Sequence, residues 1–278
     1  KIELTVKGDQ GTMATSEVNI TLTKPEPTPE PGEGEMVDSR DNHVYKTVEI
    51  GEQTWMAENL AYLPKVNKPA AAATCEGEPL YFVYDYDGED VNAAKNTETY
   101  KTYGVLYNWY AAMNKENEEG KDADAVPSGV QGICPSGWHL PSKAEWKILE
   151  NFVAEQLPPV EGDVWEDDFG DKHSDPNCKN VWSALAGLEG WGASGNSDMN
   201  PDLANGPRNT YGLTIIPSGQ CYQTGSFGWS ESGADFWTTE MQSQGAGNIT
   251  FSNNSYGITY SKYGITPKRG FPIRCIKD

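Results

Sequence analysis

Aromatic side chains are concentrated among glycines and serines in the last third of the chain. Rigid rings in such loops provide contact area at a small entropic cost, and sugar rings stack well on their faces. Trp229, between Gly228 and Ser230, is the ring that we expect to be most exposed, whereas Trp237 is expected in the core. The residues that we predict to contact a ligand are Tyr222, Trp229, Glu231, Tyr256 and Tyr260, within a group that also includes Phe227 and Tyr263.

A second group of side chains could bind a cation. Side-chain oxygens recur at alternate residues in Asp198, Asn200 and Asp202. This spacing suits a hard cation such as Ca²⁺, although the segment lacks the sixth-position Gly and the twelfth-position Glu of an EF-hand loop. A calcium site and a solvated acidic loop both fit this pattern.

Motifs for catalysis and for zinc are absent from the sequence. The three histidines are scattered, with no pair at ligand spacing, so no zinc site is predicted. His139, between Trp138 and Leu140, is predicted to be a hydrogen-bonded structural residue. The chain has no Gly-x-Ser-x-Gly elbow, no phosphate-binding glycine loop and no nucleophilic cysteine in a known context. We therefore predict that the protein is not an enzyme.

The cysteines indicate a long-range disulfide bond. Residues 132–142 form a Pro- and Gly-containing loop with Cys134, and Cys275 near the C-terminus is its predicted partner. Such a bond would close a loop of about 140 residues and contribute roughly 5 kcal/mol, which predicts an oxidising compartment. Cys75, Cys178 and Cys221 could pair among themselves or be buried free thiols, and both alternatives are open at this stage.

Net charge limits the partners of the protein. There are 21 basic and 41 acidic residues, giving a net charge of −20. This balance disfavours nucleic acids and anionic lipid surfaces. No segment has the roughly 18 to 20 apolar residues of a membrane-spanning helix, so we predict no transmembrane segment. No signal peptide is visible, and we expect that a targeting signal preceded Lys1.

The chain is predicted to have three parts. Alternating apolar residues at 1–7 and 17–23 predict a β-hairpin, and we interpret residues 1–24 as the end of a truncated β-sandwich. Prolines alternate with glutamates in residues 25–36, which predicts an extended linker. Residues 37–278 are predicted to be one α+β domain, with helices before the last strands.

The predicted helices of this domain cover residues 106–117, 142–157 and 180–188. The second has the clearest signal, because Ser142 and Glu145 form a capping box before an apolar stripe that ends at Pro158. Short strands are predicted on both sides of the helices, at 44–50, 53–56, 211–217, 220–222, 236–239, 248–251, 257–260 and 271–276.

Five segments in order carry a family resemblance. They are residues 50–60 (IGEQTWMAENL), 103–109 (YGVLYNW), 132–149, 235–240 (DFWTTE) and 273–278 (IRCIKD). From residue 37 onward the chain resembles the Fibrobacter succinogenes major paralogous domain (FISUMP) family of secreted and surface proteins of Bacteroidota. The resemblance implies a C-type-lectin-like fold, in which a cysteine near the second helix commonly pairs with one in the last strand. It implies no biochemical activity.

Two functions from different classes fit these observations. We expect a secreted or outer-membrane-surface binding module, adhesin-like, that recognises a glycan or a host-surface protein through residues 190–231 and 253–263. The Glu-Pro-Asn or Gln-Pro-Asp and Trp-Asn-Asp motifs of calcium-dependent sugar binding are absent. The alternative is a structural subunit at the tip of a surface fibre, whose hairpin binds a neighbouring subunit by strand addition.

Overall fold

The computed structural model describes residues 2–7, 13–18, 30–114, 124–157, 165–166, 172–173, 178–192, 208–253 and 257–278. Within these residues the chain combines short helices with antiparallel sheets, as the α+β prediction required. No helix of the described part is long and apolar enough to cross a bilayer. The helices are α1 (Ala71–Thr74), α2 (Val91–Lys95), α3 (Glu98–Tyr103), α4 (Trp109–Met113), α5 (Lys143–Gln156) and α6 (Cys178–Leu185). The strands are β1 (Ile2–Lys7), β2 (Met13–Val18), β3 (Glu35–Asp38), β4 (His43–Ile50), β5 (Gln53–Met56), β6 (Tyr81–Phe82), β7 (Leu106–Tyr107), β8 (Trp138–His139), β9 (Trp165–Glu166), β10 (Lys172–His173), β11 (Ser218–Cys221), β12 (Phe227–Ser230), β13 (Gly233–Met241), β14 (Ala246–Ser252), β15 (Ile258–Tyr260) and β16 (Ile276–Lys277).

A five-stranded sheet joins the two ends of the α+β domain. Its strand order is β3-β4-β5-β16-β8, so the C-terminal strand lies between an early hairpin and the cysteine loop. Ile276 pairs with Trp55 on one side and with His139 on the other. Cys134 and Cys275 form the predicted disulfide bond, with Cα atoms 5.9 Å apart. The residues nearest the C-terminus are therefore fixed by both backbone pairing and a covalent bond.

A three-stranded sheet with strand order β13-β14-β15 has two faces of different polarity. Opposite residues across its strands are Asp235, Thr250 and Thr259 in one row and Phe236, Ile249 and Tyr260 in the next row. Side chains of successive strand residues point to opposite faces, so these two rows lie on different sides of the sheet. One side is polar and the other is apolar.

Helix α5 covers the apolar side of this sheet. Ser142 accepts a hydrogen bond from the Glu145 backbone N–H, and the Glu145 carboxylate accepts one from the Ser142 N–H, which completes the predicted capping box. Trp146, Leu149 and Val153 follow at helical spacing and are buried. The Trp146 ring packs against Phe236 and Phe251 of the sheet, with centroids 5.7 and 5.9 Å away. This contact forms one of two large cores; Trp237 belongs to the other.

The other two predicted helices have different bounds. Leu106 and Tyr107 pair with β6 and do not start a helix. Helix α4 begins only after Asn108, whose side chain caps it by accepting from the Ala111 N–H. Helix α4 ends at Met113, and the next residue, Asn114, caps it with a left-handed φ of 46°. Helix α6 ends at Leu185 and not at residue 188, because the Leu185 carbonyl accepts from the Ile215 N–H and the Gly187 N–H donates to the Ile215 carbonyl.

Several strand predictions also had wrong bounds. The second strand of the N-terminal hairpin is Met13–Val18, with Lys7 opposite Met13, so pairing resumes earlier than the predicted residues 17–23. Residues 211–217 make one isolated bridge, at Ile215, and the predicted strand 271–276 contains only Ile276 of β16. In that last segment, the carbonyls of Ile273 and Cys275 accept from Leu60 and Met56 outside a regular ladder.

Candidate functional site

A cavity of about 550 Å³ opens on the polar face of the β13-β14-β15 sheet. This volume lies in the range of small-molecule sites, roughly 300 to 1,000 Å³. The walls combine aromatic rings with polar and charged side chains, from strands β11 to β15 and from the segment before β16. The lining side chains include Gln220, Tyr222, Trp229, Asp235, Asn248, Thr250, Lys262, Tyr263 and Arg269.

Asp235 is the central acceptor of the cavity floor, and its side chain is 4% exposed. Its Oδ1 accepts from the Thr250 hydroxyl and from Asn248 Nδ2, the latter at 3.0 Å, and its Oδ2 accepts from Gln220 Nε2 at 3.4 Å. Burial raises the pKa of Asp235 to about 6, although the hydrogen bonds from Thr250 and Asn248 and the charge of Arg269 oppose the increase. Asn248 Oδ1 is buried and has no partner in the described part of the chain.

Arg269 connects this floor to an aromatic wall. Its Nη1 donates to Gln220 Oε1 at 3.0 Å and its Nε donates to Gln223 Oε1 at 2.8 Å. Its guanidinium carbon lies 5.3 Å from the centroid of the Tyr222 ring, within the range of a cation–π contact. Gln220 therefore bridges a cation and an acid, since its oxygen accepts from Arg269 while its nitrogen donates to Asp235.

Tyr222 and Trp229, two of the residues predicted to contact a ligand, both line this cavity. Trp229 is only partly buried, with its ring over Gly233, where a Cβ would lie 3.1 Å from the indole. The expectation that it is the most exposed ring was wrong, because Tyr263 has the larger exposed fraction, 43%. The backbone of Trp229 has a φ of 70°, which is unfavourable for a residue with a side chain.

Two other predicted site residues have different positions. The side chain of Tyr260 is 3% exposed and lies in the apolar row of its sheet, where its hydroxyl donates to Glu150 of α5. It borders the cavity but offers no open ring face for stacking, so a contact of Tyr260 with a ligand stays a prediction. Glu231 is exposed and does not line the cavity. Its backbone carbonyl accepts from Gly192 N and Asn253 Nδ2 and so holds the neighbouring loops together.

The remaining predicted site residues lie outside the described part of the chain. These are Tyr256 and the candidate calcium ligands Asp198, Asn200 and Asp202. Among the residues that the structure does describe, no group of three or more His, Cys, Asp or Glu side chains could hold a metal ion.

Sequence reasoning missed the polar floor of the cavity. Asp235 lies within the DFWTTE segment, and Asn248, Thr250 and Ser252 alternate with apolar residues along β14. This period-two pattern could have identified a strand with one polar face. The sequence contains no sign that the polar face lies under aromatic loops and not in open solvent.

His139 and Arg274, in the segments 132–149 and 273–278, have structural roles. His139 Nδ1 lies 2.7 Å from Asp278 Oδ1 and its Nε2 lies 2.7 Å from Glu145 Oε1, which confirms the predicted structural role. Although burial opposes it, the two carboxylates raise the pKa of His139. The buried guanidinium of Arg274 donates to Asn59 Oδ1 and to backbone carbonyls of residues 56, 213 and 214.

The other described cysteines are buried free thiols. Cys75 and Cys221 both lie in a small apolar cluster with Phe82 and Leu106, so the pairings considered for these two are wrong. Burial raises the pKa of Cys221 to about 12, which suppresses the thiolate at neutral pH. The side chain of Cys178 lies outside the described part.

Comparisons with known proteins give one match. A family model, described as the Fibrobacter succinogenes major domain, matches residues 48–277. This span runs from the end of β4 to β16 and includes the cavity and the disulfide bond. No curated protein and no solved structure matches the chain. The match covers most of the sequence, and the chain belongs to the Fibrobacter succinogenes major domain family.

Proposed function

We propose that this chain is a non-catalytic binding module whose ligand is a glycan held in the cavity beside β13-β14-β15. The observation that carries the proposal is the combination, in one cavity, of the rings of Tyr222, Trp229 and Tyr263 with a buried polar floor around Asp235. A sugar presents apolar C–H faces that stack on rings and hydroxyls that bond to carboxylate and amide groups. Both kinds of partner are available here within one ligand-sized volume.

The proposed setting is a secreted or cell-surface protein with an adhesin-like role. The disulfide bond between Cys134 and Cys275 supports this setting, because such bonds persist in oxidising compartments. We also propose that the domain has a C-type-lectin-like fold. The antiparallel sheets, the two-sided pairing of β16 and the bond from the loop before α5 to the segment before the last strand support that assignment.

A glycan array probed with the full chain, in calcium and again in chelator, tests the proposal. We expect binding that Tyr263→Ala weakens at least about tenfold, a loss of about 1.4 kcal/mol. Tyr263 is 43% exposed, so its loss should affect folding little. Ile148→Ala is the matched control, because Ile148 on α5 is 41% exposed and does not line the cavity. Binding to no glycan, or equal weakening by both variants, would argue against the site.

A second function is proposed for the N-terminal hairpin. Strands β1 and β2 pair only with each other within the described residues, so each has an edge without a backbone partner there. Such an edge can accept a strand from another subunit, as in a fibre. If so, the full chain should oligomerise and a chain without residues 1–24 should be monomeric. Identical masses of the two chains in light scattering would contradict assembly through the hairpin.

A further inference from the structure

The cavity has a charge opposite to that of the chain as a whole. The protein carries 41 acidic and 21 basic residues, yet among the described residues the charged side chains that line the cavity are Arg269, Lys262 and one acid, Asp235. The acid is at the buried floor and is already bonded to Thr250 and Asn248. An anion would be repelled by most of this surface, but the cavity offers it two cations.

Both cations are held against cavity rings. Arg269 lies over Tyr222 at 5.3 Å and Lys262 lies over Tyr263 at 5.7 Å. Arg269 has five N–H donors, of which two are used by Gln220 and Gln223. In the described part of the chain the structure gives the remaining donors no acceptor. A fixed guanidinium with donors to spare suits a planar carboxylate, to which it can donate twice in parallel.

We propose that the ligand of this cavity is an acidic sugar, whose carboxylate is bound by Arg269 with Lys262 nearby, while its ring stacks on the aromatic wall. The inference rests on the proposed glycan-binding function and specifies its substrate class. The division of roles follows from the positions of the charges. Asp235 on the floor accepts from sugar hydroxyls, and the two cations bind the acidic group. A neutral sugar uses only part of this arrangement.

Matched pairs of sugars test the inference with the full chain in titration calorimetry. The pairs are galacturonate and galactose oligomers, glucuronate and glucose oligomers, and sialyllactose and lactose. In at least one pair we expect the acidic member to bind at least about tenfold tighter, which is about 1.4 kcal/mol. The preference should weaken as salt is raised, because the groups are accessible to solvent.

Variants separate charge recognition from folding. Arg269→Gln should abolish the preference for the acidic member, and Lys262→Gln, at an exposed residue, should reduce it with less effect on the cavity. Lys101→Gln, which makes the same change of net charge on α3, should leave the preference intact.

Equal binding of acidic and neutral members would overturn the inference and leave glycan binding standing. Tighter binding of a sulfated sugar than of the uronate would overturn the assignment to a carboxylate. Binding of none of these sugars, or of any glycan on the array, would overturn both proposals.

Discussion

Asp235→Asn should make the protein more stable at neutral pH. The buried carboxylate has a pKa of about 6 in the folded chain, against an ordinary value of about 3.9 for aspartate. Because the folded state binds this proton more tightly, the wild-type protein loses stability as pH rises from about 4 through 6. The loss is about 3 kcal/mol once the pH is above 7, at 1.36 kcal/mol for each pKa unit. An amide has no such proton, so Asp235→Asn should avoid that loss.

The neighbouring hydrogen bonds can adapt to the amide. If the new NH₂ replaces Oδ1, it can donate to the Thr250 hydroxyl, and Asn248 can turn its unpartnered Oδ1 toward the cluster. The new carbonyl then still accepts from Gln220. We therefore expect that most of the gain is retained, at about 2 to 3 kcal/mol above pH 7, and that it vanishes near pH 4.

Urea unfolding of both proteins between pH 4 and pH 8 measures this difference. Glu52→Gln is the control, because it makes the same charge change at an exposed turn residue and should give a small difference without the rise between pH 4 and 6. The reasoning would be refuted if the free energies of unfolding of Asp235→Asn and wild type differed by the same amount at every pH. It would also be refuted if the variant were less stable at pH 8. A gain in stability accompanied by weaker glycan binding would mark Asp235 as a residue kept for function.

Three further substitutions test the framework around the cavity. His139→Gln should remove one pH dependence of the free energy of unfolding. In the wild type, the stability that comes from the raised pKa of His139 is fully present below about pH 6.5 and is lost as pH rises through the folded-state pKa. Urea unfolding of both proteins at pH 6 and pH 9 measures this difference. If the free energy of unfolding of the variant changed with pH as much as that of wild type, the stabilisation by a protonated His139 would be contradicted. Cys134→Ala should cost about 2 to 5 kcal/mol, and wild type unfolded in reductant should match it. Arg274→Met removes the donor from four acceptors, three of them buried, and should cost about 3 to 5 kcal/mol in urea unfolding. Arg274→Lys should recover only part of this loss, and a neutral result for Arg274→Met would show that water replaces these bonds.

Local signals in the sequence predicted the elements that depend on neighbouring residues. The capping box of α5 lies within four residues and forms as predicted. The strands β4 and β5 are also close to their predicted bounds, because their alternating residues pair across a two-residue turn. The predictions failed where a distant segment bonds to the backbone of the predicted helix. Leu106 pairs with Phe82, and α6 ends where the Leu185 carbonyl accepts from Ile215. No local pattern contains these partners.

The same distinction holds for the candidate site. Residue type and spacing predicted that Tyr222 and Trp229 would be exposed enough to line a cavity, and that Cys134 would pair with Cys275, because residue type limits what each side chain can do. Only the tertiary structure decided that Tyr260 faces α5, that Asp235 is buried, and which cations border the cavity. These facts depend on strand register and on contacts between segments distant in sequence. A shift of one residue in register would exchange the polar and apolar faces of β13, and with them the site.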